Sequence, residues 1–271
     1  MNKGQHGKTT KEPGSRVTGE ISSGNFGDVL QLSAKPLYLQ VKESLLNRVV
    51  SGEWKPGAIL PSETELAREY NLSQGTIRKA VAGMADDGIV TRHAGKGTFV
   101  TSHHSDQHNP ERFRRFYTKS GRRLLGDDAR YISCASIKAP KHVAAGLNIE
   151  QGSKVTEIIR TRYIEQNPVL LETIYLNHDI CPGAEVVFEE TKPAPIYLAL
   201  EQAYQILILS IDEKLISRMP STNERKRLNI AKGVPVLEVQ RQAFSIDRRQ
   251  VEFRVSVCAG NGNICYWNHY Q

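Results

Sequence analysis

Residues 60 to 100, LPSETELAREYNLSQGTIRKAVAGMADDGIVTRHAGKGTFV, constrain the fold more than any other stretch, because helix starts, a tight turn and two short apolar runs fall close together. Ser62 with Glu65 three residues later is a capping box, in which the hydroxyl accepts from a first-turn amide and the carboxylate reaches back to the Ser62 amide. A helix therefore starts at Ser62, carries Leu66, Ala67 and Tyr70 on one face, and stops at Asn71, which tolerates a left-handed turn. Ser73 caps a second helix whose Ile77, Val81 and Met84 recur at helical spacing, and Asp87-Gly88 ends it. Ile89 to Arg92 and Thr98 to Val100 read as strands around the tip His93-Ala94-Gly95-Lys96-Gly97.

Helix, turn, helix and basic wing together make a DNA reader whose second helix enters the major groove. The exposed face of that helix carries Gln74, Thr76, Arg78 and Lys79, donors for base edges and phosphates. Ser62, Thr64 and Ser73 at the helix starts, and Arg92, Lys96 and Gly97 in the wing, complete the candidate contacts. For Arg78 and Lys79 the competing reading is an ordinary solvated helix face. Upstream, Leu37, Val41, Leu45, Leu46 and Val49 fall at helical spacing from Pro36 to about Gly52, a supporting helix, and Trp54 is expected to plug the core at its corner.

These residues resemble the winged helix-turn-helix of the GntR family of bacterial transcription regulators. The resemblance runs from about Pro36 to Val100 and includes Pro36-Leu37-Tyr38, Lys55-Pro56-Gly57, Leu60-Pro61-Ser62-Glu63 and Gly95-Lys96-Gly97-Thr98-Phe99-Val100. Two positions depart from it: Thr64 and Gln74 stand where the family usually has arginines that read guanine, each pair worth ~1–3 kcal/mol of discrimination. Glutamine suits adenine, so a half-site more tolerant of A·T is expected. Arg78 and Lys96 match the family.

At 271 residues the chain has room for two domains, each with its own core. No run of about 18 apolar residues occurs, and the N-terminus lacks a signal-peptide core, so a cytoplasmic chain without membrane insertion is expected. Cys134, Cys181, Cys258 and Cys265 are scattered without ligand spacing, so reduced structural thiols are expected, with no metal site and no cofactor. The net charge is +7. Much of the excess lies in Arg112, Arg114, Arg115, Lys119, Arg122, Arg123 and Arg130, against Glu111, Asp127 and Asp128. That cluster suits phosphate contacts, an anionic ligand or a solvated linker.

Residues 1–34, rich in Gly, Ser, Thr and Lys, read as a mobile arm, 35–102 as the reader, 103–111 as a linker and 112–271 as a second domain. His103, His104 and His108 in the linker match no metal-site spacing. The second domain reads as strands over 129–137, 155–164, 169–176, 206–216, 236–245, 251–258 and 264–270. Helices are expected over 140–147, 195–204 and 221–229, with a turn at 166–168. Strand hairpins with intervening helices indicate an α+β domain on an antiparallel sheet.

This half resembles the UTRA domain, the ligand-binding module of the HutC-like branch of the GntR family, which shares its fold with chorismate lyase. The marks are PKHVAAGLNIEQGSKV, the strands Ile159 to Tyr163 and Leu171 to Leu176, PIYLAL, RLNIAKGVPVLEVQR and Val251 to Ser256. The resemblance implies a homodimer that binds a two-fold operator in double-stranded DNA and responds to a small anionic metabolite, a phosphorylated sugar or organic acid. Most such proteins are repressors. Arg160 and Arg162 alternate onto one strand face and suit a carboxylate or phosphate. Glu172 and Glu252 are candidate acceptors for ligand hydroxyls, and Tyr175 and Ser256 candidate orienting groups; the competing reading is solvent-facing ion pairs between strands. At the closing segment the family usually carries Tyr, Arg, Asp and an aromatic residue where this chain has Cys258, Ala259, Asn261 and Asn263, so a different effector is expected. No nucleophile elbow, metal triad or paired catalytic carboxylates occurs, which weighs against a lyase-like enzyme; a DNA-binding protein with a degenerated pocket is the third reading.

Overall fold

The computed structural model describes residues 35–102, 113, 115–124, 129–192, 195–260, 262 and 264–268. The arm 1–34, the linker 103–111 with its three histidines, Arg112, Arg114, Asp127, Asp128, Asn261 and Asn263 lie outside the described residues.

Helix α1 (Leu37–Val50) buries Val41, Leu45 and Val49, a stripe at four-residue spacing. That stripe packs on Ile77, Ala80, Val81 and Met84 of α3 (Gln74–Asp86) and on Leu66 of α2 (Glu63–Glu69). Each of these side chains larger than alanine contributes ~1.5–3 kcal/mol on removal from water. The capping box at Ser62 and Glu65 is formed, and Ser73 accepts from the Thr76 amide at the start of α3. Tyr70 is buried, and its hydroxyl shares a 2.9 Å hydrogen bond with that of Ser44. Trp54 is buried as expected, with the Arg48 guanidinium 4.0 Å from its ring centre. Strands β1 (Val90–His93) and β2 (Gly97–Val100) form the wing, and Ile59 bridges to Phe99 on its outer side. Gly97 has φ 115°, and a Cβ there would stand 3.0 Å from Cδ1 of Ile59, so glycine lets the wing turn against that chain.

The second region is a six-stranded antiparallel sheet. It contains β4 (Ala129–Lys138), β5 (Lys154–Ile164), β6 (Asn167–Asn177), β7 (Ile208–Arg218), β8 (Val236–Ser245) and β9 (Gln250–Ala259), in the order β4-β5-β6-β9-β8-β7. Strands β5 and β6 form the expected hairpin, but the turn is Glu165-Gln166, with Glu165 at φ 56°; Asn167 and Pro168 already belong to β6. Two elements carry no sequence-level expectation: strand β3 (Phe116–Thr118), paired with the short β10 (Ile264–Tyr266), and helix α5 (Ala184–Glu190).

Helices cover both faces. On one face lie α5 and α6 (Ile196–Tyr204), over Ile158, Ile174, Leu176, Ala243 and Val251, while the β3–β10 ribbon covers Leu170, Val239 and Cys258 at the other end. On the opposite face α4 (Lys141–Leu147) packs over Val155, Tyr175 and Phe253, and α7 (Thr222–Leu228) over Leu171, Val236 and Val257. Leu209 and Ile246 of this region pack against the core of the first. Among the described residues no helix is long and apolar enough to cross a membrane.

Candidate nucleic-acid interface and effector cleft

At the reader the capping geometry sets out the exposed face of α3. Ser73 and Thr76 share a hydrogen bond through their hydroxyls at 2.9 Å, so both are engaged in holding the first turn. Gln74, one residue on, is exposed, as is Arg78 one turn later. Glu63, in the first turn of α2, accepts from Arg78 Nε at 2.9 Å and lies 3.3 Å from Arg92 Nη2 in the wing. Arg92 also donates to the Arg78 carbonyl at 3.2 Å. One carboxylate thus ties the recognition helix to the wing, and the two cations are held in a fixed relation. The groove between α2 and the wing is lined by Ser62, Thr64, Gln74, Arg92, Lys96 and Gly97 among others. Lys79 is turned away from it, with its ammonium 4.0 Å from the ring centre of Tyr38 on α1. Of the basic cluster after the reader, Arg123 donates to the Tyr117 hydroxyl at 2.8 Å, and Arg130 stacks 4.1 Å from the Tyr163 ring.

In the sheet, the period of two puts Arg160 and Arg162 of β5 on one face, as expected, and that face is the one α6 covers. Register then decides their company: Arg160 lies opposite Glu172, Glu172 opposite Ser256, and Arg241 opposite Arg254. Arg160 Nε donates to Glu172 Oε2 at 2.7 Å, Arg162 Nε stands 3.6 Å from the same oxygen, and Arg254 Nη1 donates to Glu172 Oε1 at 3.1 Å. Arg254 holds Glu252 through Nε at 3.0 Å and Nη2 at 2.8 Å, and Tyr197 of α6 donates its hydroxyl to Glu252 Oε1 at 3.2 Å. Arg241 is held by Glu213 at 2.8 Å and by the Phe113 carbonyl. Tyr266 donates to the other Glu213 oxygen.

All these charges are buried; Arg160 is 3 % exposed and Glu252 0 %. Burial by itself raises the Glu172 carboxyl, but Arg160, Arg162 and Arg254 outweigh it and hold the group well below the usual carboxylate range. Burial pushes the Tyr197 hydroxyl up to about 12, so it stays a donor. Among the described residues four guanidiniums face three carboxylates, which leaves this set one positive charge in excess. Nη1 of Arg160 is buried without a hydrogen-bond partner among the described residues. Arg160, Arg162, Arg241 and Arg254, with Pro195, Ile196 and Tyr197, line a small cleft of about 40 Å³.

Three expectations change. Glu172 and Glu252 direct their oxygens at arginines, so they act as anchors for the cations rather than open acceptors. The ion pairs they make are buried, not solvent-facing. Tyr175 is on the other face of the sheet, stacked on Phe253 at 6.3 Å and edge-on to His142, because three residues along a strand from Glu172 is an odd number. Arg254, Arg241 and Tyr197 were not singled out from sequence. Arg254 was legible, since it lies two residues after Glu252 on one strand; Arg241 and Tyr197 reach the cleft only through long-range register and helix packing.

Comparison with known proteins matches residues 37–100 to the bacterial regulatory proteins of the gntR family and residues 128–262 to the UTRA domain. The HTH-type transcriptional regulator GgaR of Escherichia coli (strain K12) is 26% identical over 234 residues, covering 85% of this chain and 90% of that protein. The HTH-type transcriptional repressor NagR of Bacillus subtilis (strain 168) is 27% identical over 226 residues, covering 83% of this chain and 91% of its own. Among solved structures, the ligand-binding domain assigned to a GntR-family transcriptional regulator of Bordetella bronchiseptica superposes with a TM-score of 0.52 at 22% identity, over 59% of this chain and 97% of that one.

Proposed function

Since the chain belongs to the GntR family and carries a UTRA domain, a bacterial transcriptional regulator and not an enzyme, we propose that it represses transcription as a homodimer on a two-fold operator and is released or retained by a small anionic metabolite. Residues 35–102 read the DNA, and the second region binds the effector and dimerises. Gln74 and Thr64 face base edges, Arg78 and Arg92 are held at the groove by Glu63, and Lys96 and Gly97 approach the backbone along the wing. The observation that carries the effector class is, among the described residues, the excess of guanidinium over carboxylate in a buried cleft, with Arg160 Nη1 lacking a hydrogen-bond partner. An anion of carboxylate or phosphate type supplies the missing acceptor. The repressor sense is supported by the relative named a transcriptional repressor.

The test is selection of duplexes from a random library with the full-length protein at a stated salt concentration, followed by affinity for the selected duplex across a panel of phosphorylated sugars and organic acids. An inverted repeat whose affinity changes with one anion is expected. Binding that merely weakens with salt, with no sequence emerging, overturns the reading.

A further inference from the structure

Helix α6 touches both the arginine cleft and the reader. Tyr197 and Glu201 are one turn apart, so both project from the same side of the helix. Tyr197 faces the cleft: its hydroxyl donates to Glu252, its ring lies 5.7 Å from the Arg254 guanidinium, and Phe113 packs edge-on to it at 5.8 Å. Glu201 faces the reader. Its Oε1 accepts from the hydroxyl of Ser102, which follows the last wing strand, at 2.5 Å, and both residues are buried. Beyond Glu201, Tyr204 and Gln205 line a cavity whose other wall is Val49 to Gly52 and Val100 of the reader. Ile196, Ala199 and Leu200 anchor the helix in the sheet core between these two ends.

We propose that α6 carries occupancy of the arginine cleft to the DNA-binding region, with Tyr197 responding to the cleft and the Glu201–Ser102 hydrogen bond as the contact that is kept or lost. This rests on the reading of that cleft as the effector site. An anion drawn to Arg254 competes with Glu252 for the same guanidinium, and Glu252 is the acceptor of the Tyr197 hydroxyl. The nine-residue helix has five buried residues and shifts as a unit. A buried carboxylate cannot drift gradually from its donor without a desolvation penalty, so the contact with Ser102 has two states, made or re-solvated. An effector shifts their balance only to the extent that it binds one state better.

The experiment is amide hydrogen exchange on the full-length protein, following residues 49–52 and 98–102 on the reader side and 251–258 in the sheet. Wild type is compared with Tyr197→Phe, Glu201→Gln, the double variant, and Ala203→Gly, which loosens the exposed side of α6 without touching either contact. Tyr197→Phe is expected to raise exchange on the reader side by about fivefold or more. Glu201→Gln does the same, and the double variant does not exceed it, because both act along one path. Ala203→Gly raises exchange in the helix alone. Reader-side exchange unchanged in Tyr197→Phe, effects that multiply in the double variant, or an equal response to Ala203→Gly each overturn the proposal. A second arm adds inorganic phosphate: protection of 251–258 with a reader-side change in wild type that is missing in Glu201→Gln supports it, and an undiminished change in Glu201→Gln overturns it. Phosphate that protects nothing counts against the anionic effector alone, while the ligand-free comparison still judges the helix.

Discussion

Nε2 of Gln74, the first residue of α3, lies 3.5 Å from Oγ1 of Thr64 in the first turn of α2. The two positions at which the resemblance leads one to expect arginines therefore touch, and they form one exposed surface. Thr64 takes one amide proton of Gln74, and the carbonyl and second amide proton of this exposed side chain are the groups that suit an adenine edge in the reading proposed above.

Gln74→Arg is expected to move the selected half-site toward guanine, with ~1–3 kcal/mol of new discrimination at one position. Repeating the library selection checks it. An unaltered selected sequence would show that residue 74 does not read bases.

Glu63→Gln frees Arg78 and Arg92 from their shared partner and removes a negative charge from the groove. Binding to random duplex should hold or strengthen, since phosphate attraction gains from the lost charge. Binding to the selected duplex should fall relative to it, because both cations lose their fixed placement. The ratio of the two affinities, measured at one salt concentration, is the quantity to follow; a ratio equal to wild type contradicts the positioning role.

Glu172→Gln leaves Arg160, Arg162 and Arg254 without the carboxylate they share. Breaking a buried ion pair from one side costs ~3–5 kcal/mol, read from urea unfolding at neutral pH. The pH dependence follows in sign. The folded carboxyl lies below its ordinary 4.5, so its stabilisation is complete above that value and is lost as the pH falls through it toward the folded value. Wild type should lose stability steeply on that acid side, and Glu172→Gln should show a shallower slope. Parallel slopes would count against an ionised, arginine-held Glu172.

Gly146→Ala tests a close approach. In an exposed helix the change from glycine to alanine gains ~0.5–1 kcal/mol. Here the added Cβ would stand 2.6 Å from the Phe253 ring, so α4 must lift from the sheet. A net loss of ~1–3 kcal/mol is expected by thermal unfolding, and a raised Tm would refute the contact.

Helices α1 to α3, the wing and the β5–β6 hairpin were legible because their signals are local: a capping box at Ser62, a serine cap at Ser73, apolar residues at helical or alternating spacing. Strand β10 lies inside the strand expected over 264–270, but β3 and its pairing with β10 were not legible, since three residues carry no periodicity of their own and the partner lies across most of the second region. The turn at Glu165-Gln166 was placed one residue late, because Asn-Pro reads as a turn although Pro168 has no amide to lose in this pairing. Arg160 and Arg162 were found by alternation, and the same alternation separates Tyr175 from Glu172.

By itself the sequence determined where helices begin and strands alternate, and hence a DNA reader joined to an antiparallel sheet. Caps, periods and turn residues act over a few positions and need no partner. Only the tertiary structure decided which charges share the cleft. Arg241 faces Arg254, Glu172 serves three arginines, and Tyr197 reaches Glu252 from a helix fifty-five residues earlier in the chain. Burial and ion pairing depend on which strands become neighbours, and strand order is settled by the packing of the whole domain.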